Sequence, residues 1–409
     1  MTLTNTTRKF GAVTKTFHWL TALLILSALA LGIDATQAPY TDGTELARKA
    51  WLFSLHKTIG VTAFLVAIMR IAWALTQPRP RLLNGNQRLE AIAAETAHWV
   101  LYGAMLLVPL TGWMHHAATT GFAPIWWPFG QSLPFVPKSE SFASLMGGLH
   151  FTFMLVLVAT IAAHVGGALK HFFIDKDQTL QRMLPGMRSN ALPTTEQPGH
   201  VAPFLAALTV WVGACVLGTL AFTQPTEHTD PTPQLAEVAS QWRVDSGSLD
   251  ITVRQMGSDI RGGFADWTAE ITFDETAPDG QHGEVRVQVG MPSLELGSVT
   301  DQALGPDFLD AGSHGVAVFT ADILADDQNY VARGALSLKG ITTPVTLPFE
   351  LTLEGDRAKM SGQVSLDRRD FGIGETMPDE TTLGFSVQIH VALTATREDV
   401  APNLSEAGS

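Results

Sequence analysis

Cysteine is all but absent from this chain. The single Cys215 lies in an apolar run, which excludes a disulfide framework and a thiolate metal site. Charge is scarce as well, at 16% of 409 residues, and it is unevenly shared. Residues 1–229 carry 15 Lys and Arg against 10 Asp and Glu (net +5), and residues 230–409 carry 11 against 29 (net −18). An acidic total of −13 argues against nucleic acid as a partner. An apolar, mildly basic half followed by a polar, acidic half predicts a membrane domain joined to a water-soluble one.

Five apolar stretches, near 17–33, 52–75, 97–117, 146–172 and 202–223, are long enough to cross a hydrocarbon core of about 30 Å, which takes roughly 20 helical residues. The first follows Arg8, Lys9 and Lys15 and could pass for a cleaved signal peptide, but the later spans and His18 inside it favour a retained helix. Basic residues resist translocation. Arg8, Lys9 and Lys15, then Arg79, Arg81 and Arg88, then Lys176, Arg182 and Arg188 form one rich set, and Arg48, Lys49 and Lys138 a poorer one. The expected topology is therefore a multi-pass protein of the bacterial inner membrane, with a cytoplasmic N-terminus. Five spans then place everything after residue 223 in the periplasm.

Residues 224–234, QPTEHTDPTPQ, read as a stiff linker. Beyond about 248 the pattern changes to period two. Val285, Val287 and Val289 alternate with polar neighbours, as do Val345, Leu347, Phe349, Leu351 and Leu353, and Phe385, Val387, Ile389, Val391 and Leu393. Such runs, broken by Gly, Asp and Pro, predict an antiparallel barrel or sandwich with a short helical insert around 298–312. The expected fold class is an all-α transmembrane four-helix bundle with a fifth membrane helix, followed by an all-β antiparallel barrel. The expected domains are 1–188 for the bundle, 189–223 for a cytoplasmic connector and the fifth helix, 224–240 for a periplasmic linker, 241–397 for the barrel and 398–409 for a disordered tail.

Ligating side chains inside membrane spans are costly and mark function. His150 and His164 are 14 residues apart, close to four helical turns, so they share a face at heights about 21 Å apart. Depth then pairs His56 with His150 toward the periplasm and His18 with His164 toward the cytoplasm. Each pair can fill both axial positions of a haem iron, which favours electron transfer over oxygen activation. The alternative for each is an interfacial or core histidine satisfied by the protein. That alternative is the stronger one for His98, His115, His116 and His171, which match no second ligand geometry. Arg70 either meets a haem propionate or snorkels to the headgroups.

At these residues the first half resembles the bacterial cytochrome b561 family, over roughly 8–188. FHWL in the first span, SLHKTIG in the second, AHWVLYGAMLLVPLTGWM in the third, GLHFTFMLVLVATIAAHVGGALKHFF in the fourth and the closing DQTLQRMLPG carry the match. The resemblance implies two b haems on His18, His56, His150 and His164, electron exchange with the membrane quinone pool, and a periplasmic donor or acceptor, which in some relatives is superoxide. Few cations mark the periplasmic loops, so an electropositive funnel is not evident here. The second half resembles the YceI-like family over about 241–397, through WRVD, GGFADWTAEITFD, PDFLDAG, ARGALSLKGITTPVTLPFEL and RRDFGIGE. That likeness implies a lipocalin-like barrel holding ubiquinone or another isoprenoid. Asp301-Gln302 stands where relatives commonly have Arg-Asp. Trp242, Phe264, Trp267, Phe273, Phe308, Phe319, Phe349, Phe371 and Phe385 either line its pocket or form ordinary core. The rival function is a membrane-anchored lipid-binding protein whose helices are chiefly an anchor.

Overall fold

A computed structural model describes residues 2–119, 123–187, 191–195, 197, 199–222, 235, 240–277, 280–326 and 329–397. Most of the expected linker at 224–240 and all of the tail at 398–409 lie outside the described residues. The described chain divides into two units, one holding the helical bundle and the other the strands.

The helices of the first unit are α1 (Ala12–Gln37), α2 (Gly43–Thr76), α3 (Arg88–Ala118), α4 (Glu140–Phe173), α5 (Thr179–Met183) and α6 (Val201–Phe222). Five of them are long and apolar enough to cross a membrane. They outrun the apolar stretches that announce them. The added turns carry charge: α2 begins with Glu45, Arg48 and Lys49, and α3 with Arg88, Glu90 and Glu95, so helical periodicity continues where hydropathy has already fallen. Ser139 starts α4 by accepting a hydrogen bond from the Phe142 amide.

Packing within the bundle is uneven. α3, α4 and α6 meet backbone to backbone through a core that includes Val100, Ala104, Phe153 and Trp211. Glycines make the notches: a Cβ on Gly103 would lie 2.3 Å from the Trp211 indole nitrogen, and one on Gly148 would lie 2.3 Å from the Phe222 ring. α1 and α2 make few close backbone approaches to each other or to α3 and α4, and meet them through side chains instead. That spacing leaves room for a cofactor between facing helices. At one end of the bundle, α5 ties the pieces together. Arg182 donates to the carbonyls of Arg81 and Arg8, Trp19 donates to that of Met183, and Lys15 to those of Leu184 and Met187.

The second unit is one ten-stranded antiparallel sheet, curled on itself. Its strands are β1 (Trp242–Gln255), β2 (Ser258–Phe264), β3 (Trp267–Phe273), β4 (Gln281–Gly290), β5 (Leu294–Glu295), β6 (Val316–Asp326), β7 (Asn329–Leu338), β8 (Ile341–Glu354), β9 (Arg357–Asp367) and β10 (Leu383–Arg397). Their order is β3-β4-β6-β7-β8-β9-β10-β1-β2-β5. Side chains close the curl where β1 comes alongside β3. Ser240 Oγ accepts from the Ile271 amide and donates to its carbonyl, Gln241 accepts from the Phe273 amide, and the Trp242 indole donates to the Phe273 carbonyl. The expected insert is present as α7 (Thr300–Leu304), directly preceded by a short 3-10 turn at Gly297–Val299, and it packs over Leu296 and Val299.

Candidate functional site

The bundle brings the span histidines together in two groups. His56 of α2 and His150 of α4 have ring centroids 6.2 Å apart, and His18 of α1 and His164 of α4 are likewise 6.2 Å apart. A first-row metal bonds imidazole nitrogen at about 2 Å, and the nitrogen sits about 1.1 Å from the ring centre, so two imidazoles on opposite sides of one metal have centroids about 6.2 Å apart. Both pairs fit that spacing. His98 of α3 stands only 5.0 Å from His164, too close for the two to oppose each other across a metal.

Each ring of the His56–His150 pair is seated by the same device. His56 Nδ1 donates to the Ala28 carbonyl at 2.8 Å, and His150 Nδ1 donates to the Val108 carbonyl at 2.8 Å. That hydrogen bond leaves the Nε2 lone pair free and fixes the ring plane, as supporting contacts do for metal-bound imidazoles. Four residues beyond each accepting carbonyl the facing helix has glycine. A Cβ on Gly32 would lie 3.0 Å from His56 Cε1, and one on Gly112 would lie 2.9 Å from His150 Cε1. The imidazole therefore occupies the space a side chain would take. His115 repeats the device against Ala143 (2.7 Å) and Gly147 (3.2 Å) on α4.

The second group is built differently. Arg70 lies between elements: its Nη2 is 3.4 Å from His18 Nδ1, its Nη1 is 3.9 Å from Met105 Sδ, and the guanidinium faces the Tyr102 ring. A metal on His18 Nε2 needs the proton on Nδ1, and Arg70 must then turn to another acceptor. His98 Nδ1 donates to Ala94 in its own helix. The remaining histidines have protein partners. His116 sits between Lys57 and Gln131, and His171 meets Asp177 at 2.7 Å and Asp175 at 3.1 Å. Glu90, His171 and Asp175 cluster closely, but Lys170 already bridges both carboxylates at 2.7 and 2.9 Å, which leaves a metal cation no net attraction there.

One regularity was missed in reading the sequence. Each of the four helices carries two of these residues 14 apart: His18 and Gly32, His56 and Arg70, His98 and Gly112, His150 and His164. One level is Gly32, His56, Gly112 and His150, and the other is His18, Arg70, His98 and His164. On α4 the spacing joins two histidines and shows in the sequence; on α1 and α3 the partner of each histidine is a glycine, which gives no chemical signal.

The barrel encloses a cavity of about 320 Å³, within the range of ligand pockets. Of the nine aromatic candidates, Trp242, Phe264, Trp267, Phe273, Phe308, Phe319, Phe349 and Phe371 line it. Phe385 does not. Between the pairs Val253↔Val387 and Gln255↔Leu383, β10 uses four residues where β1 uses two, and this bulge turns Phe385 out of the inward alternation. The ring instead lies under Arg369, whose Cζ is 3.8 Å from its centroid.

Together these features define a multi-pass helical membrane protein with paired imidazoles at two levels, fused to a cavity-bearing antiparallel β-domain. The family model for prokaryotic cytochrome b561 matches residues 9–186, and that for the YceI-like domain matches residues 242–395. The chain is 31% identical over 191 residues to cytochrome b561 homolog 2 of Escherichia coli, covering 45% of this chain and 95% of that protein. It is 24% identical over 182 residues to the probable superoxide oxidase CybB of Yersinia pestis, covering 44% and 98%. Burkholderia cenocepacia BcnA, a solved structure, is 26% identical, covers 37% of this chain and 96% of its own, and has a TM-score of 0.35. The chain belongs to the prokaryotic cytochrome b561 family and carries a YceI-like domain behind it. Membership implies haem b.

Proposed function

We propose that this protein is an inner-membrane cytochrome with two b haems, the outer held by His56 and His150 and the inner by His18 and His164. It would pass electrons between the membrane quinone pool and a periplasmic donor or acceptor, and superoxide is one candidate, given the name of the Yersinia pestis relative. Haem b held by these two imidazole pairs would supply one-electron transfer. The rest is the work of the chain. Ala28 and Val108 hold the outer imidazoles in the ligating tautomer, Gly32 and Gly112 make the space for them, and Arg70 supplies an inner-level cation suited to a propionate. The five spans and the distribution of Lys and Arg support a cytoplasmic N-terminus and a periplasmic barrel. There the barrel would bind an isoprenoid lipid or quinone in its apolar cavity.

The observation that carries this reading is the equal 6.2 Å separation of two histidine pairs on helices that otherwise stand apart. Haem measured as pyridine haemochrome on the purified full chain tests it, with two per polypeptide expected. His150→Ala should leave one. A haem-free preparation whose barrel still extracts isoprenoid would instead support the anchor reading. Stopped-flow absorbance with quinol and with superoxide then separates the two electron donors, and a C-terminal alkaline phosphatase fusion tests the topology.

A further inference from the structure

The segment that joins α3 to α4 is apolar where a loop in water would carry charge. Between His116 and Lys138 no residue is charged, and Phe122, Trp126, Trp127, Phe129 and Phe135 fall in that stretch together with four prolines. The described part of the loop does not fold its rings away: Trp126 is 46% exposed, Phe129 is 78% exposed and Phe135 is exposed entirely. Phe135 also stands at φ 67°, a left-handed conformation that strains a bulky residue, and it gains no burial in return. The patch continues onto α2. The ring centroids of Trp126 and the exposed Trp51 are 6.1 Å apart, and Leu65 and Met69, 14 and 18 residues beyond Trp51, extend the same exposed face along the span. An exposed apolar patch of this extent marks a contact site for protein or membrane.

Irregular backbone close to hydrocarbon must satisfy its polar groups within the protein. Side chains do that here. Gln131 Oε1 accepts from the Ile125 amide, and its Nε2 donates to the Ile125 carbonyl. Thr58 Oγ accepts from the Trp126 amide, Lys57 donates to the Ala123 carbonyl, the Trp127 indole donates to that of Gly130, and Lys138 to that of Thr119. His116 Nδ1 faces the Lys57 ammonium, so the ring carries its proton on Nε2 and donates to Gln131 Oε1. Lys57 and Thr58 directly follow His56. The loop is therefore latched beside the His56–His150 pair.

We propose that residues 123–138 form a membrane-binding surface, lying along the headgroup region of the leaflet where α3 ends and α4 begins, with Trp126, Phe129 and Phe135 turned into the lipid. This rests on the membrane-spanning reading of α2, α3 and α4, whose ends set the loop at that height. Aromatic side chains favour the interface between hydrocarbon and water. Lipid-exposed irregular backbone does not occur in the hydrocarbon region, and Lys138 and Glu140 close the segment, so the loop lies in the interface and does not re-enter the core. A surface built for a protein partner has a polar rim, and no charged residue borders this one between His116 and Lys138. Because its latches stand beside His56, the loop's hold on the interface fixes the depth of that histidine pair.

Depth-dependent fluorescence quenching on the full chain tests the proposal. In a Cys215→Ser background, Phe129→Cys, Phe135→Cys and, as a depth marker within α2, Leu65→Cys are labelled with NBD and reconstituted in phosphatidylcholine vesicles. Each replaces an exposed side chain, and circular dichroism checks that the helices are retained. Labels at 129 and 135 should lose fluorescence to a nitroxide on the lipid headgroup more than to one near the acyl-chain end, and should resist iodide present on both sides of the membrane. The label at 65 should rank the two nitroxides the other way. Iodide quenching at 129 and 135 without nitroxide quenching overturns the proposal. So does silence toward every quencher, which would mean that protein covers the loop. Preferential quenching there by the chain-end nitroxide overturns the interfacial depth. If the label at 65 also escapes both nitroxides, the membrane-spanning reading itself fails.

Discussion

Adding one methyl group at residue 112 should remove one haem and spare the other. Gly112 is a regular helical position of α3, so alanine is tolerated by the backbone and favoured by helix propensity by up to about 1 kcal/mol. Its Cβ would nevertheless stand 2.9 Å from both Cε1 and Nδ1 of His150. Carbon contacts are comfortable at about 3.5–4.0 Å, so the ring must retreat by roughly 0.6–1 Å. Metal-ligand bonds tolerate about 0.2 Å. The same retreat stretches the 2.8 Å bond from His150 Nδ1 to Val108. Losing such a supporting contact typically reduces metal affinity 10–100-fold. Gly112→Ala should therefore bind one haem per chain, seen as loss of one component in reduced-minus-oxidised spectra together with a halved haemochrome. Gly60→Ala in α2 is the control: nothing lies within 4 Å of its added Cβ, and two haems should remain. Two haems with unshifted bands in Gly112→Ala would refute the assignment of His150 as a tightly seated ligand.

His18→Ala should lose one haem, whereas His98→Ala should keep both, because the 5.0 Å approach of His98 to His164 does not suit opposed ligands; haem per chain measures each. Arg368→Met removes donors from five buried carbonyls and should destabilise the barrel by about 3 kcal/mol or more, read by urea unfolding monitored through tryptophan fluorescence. Hydrogen bonds from Thr381 and Thr382 hold the Asp379 carboxyl below its ordinary value of 3.8, and those from Arg369 do the same for Asp367. A carboxyl depressed by folding stabilises at pH values above its unfolded value, and that contribution is lost as pH falls below about 3.8 toward the lower folded value. Asp379→Asn should flatten the acid side of the barrel's stability profile, and an unchanged acid midpoint would count against it.

How much of this was legible depends on the kind of signal each part sends. Long apolar runs announced five spans, and period-two alternation announced the barrel, because burial on one face leaves a direct imprint on sequence. Helix ends were less legible. The charged first turns of α2 and α3 look like loops to hydropathy, yet they continue a helix beyond the apolar window. His18, His56, His150 and His164 could be paired by depth, since height along a helix is set by residue number alone. The residues that seat them could not, because Gly32 and Gly112 act by lacking a side chain and the accepting carbonyls of Ala28 and Val108 belong to the backbone. Phe385 was misplaced for a related reason: the bulge in β10 takes that one residue out of line while Leu383 and Val387 on either side of it still face inward, so the alternation gives no sign of it.

The 14-residue spacing explains why two cofactor levels fit one bundle. A straight helix turning 3.6 residues per turn drifts about 20° per heptad relative to a 3.5 repeat, so two heptads misplace a side chain by only about 40°. One turn more or less would face the same side at least as well, so height, which changes by about 5 Å per turn, is what the spacing of 14 selects. Fourteen residues thus keep both positions inside while separating them by about 21 Å. The separation must also be shared by every helix. If α4 alone carried it, His164 would find an imidazole or a guanidinium at its own height only by chance, but His18, Arg70 and His98 all reach that level. An insertion of one residue between His150 and His164 would rotate one ligand by about 100° out of the bundle. It should abolish one haem, whereas a seven-residue insertion would preserve the facing and lengthen the gap.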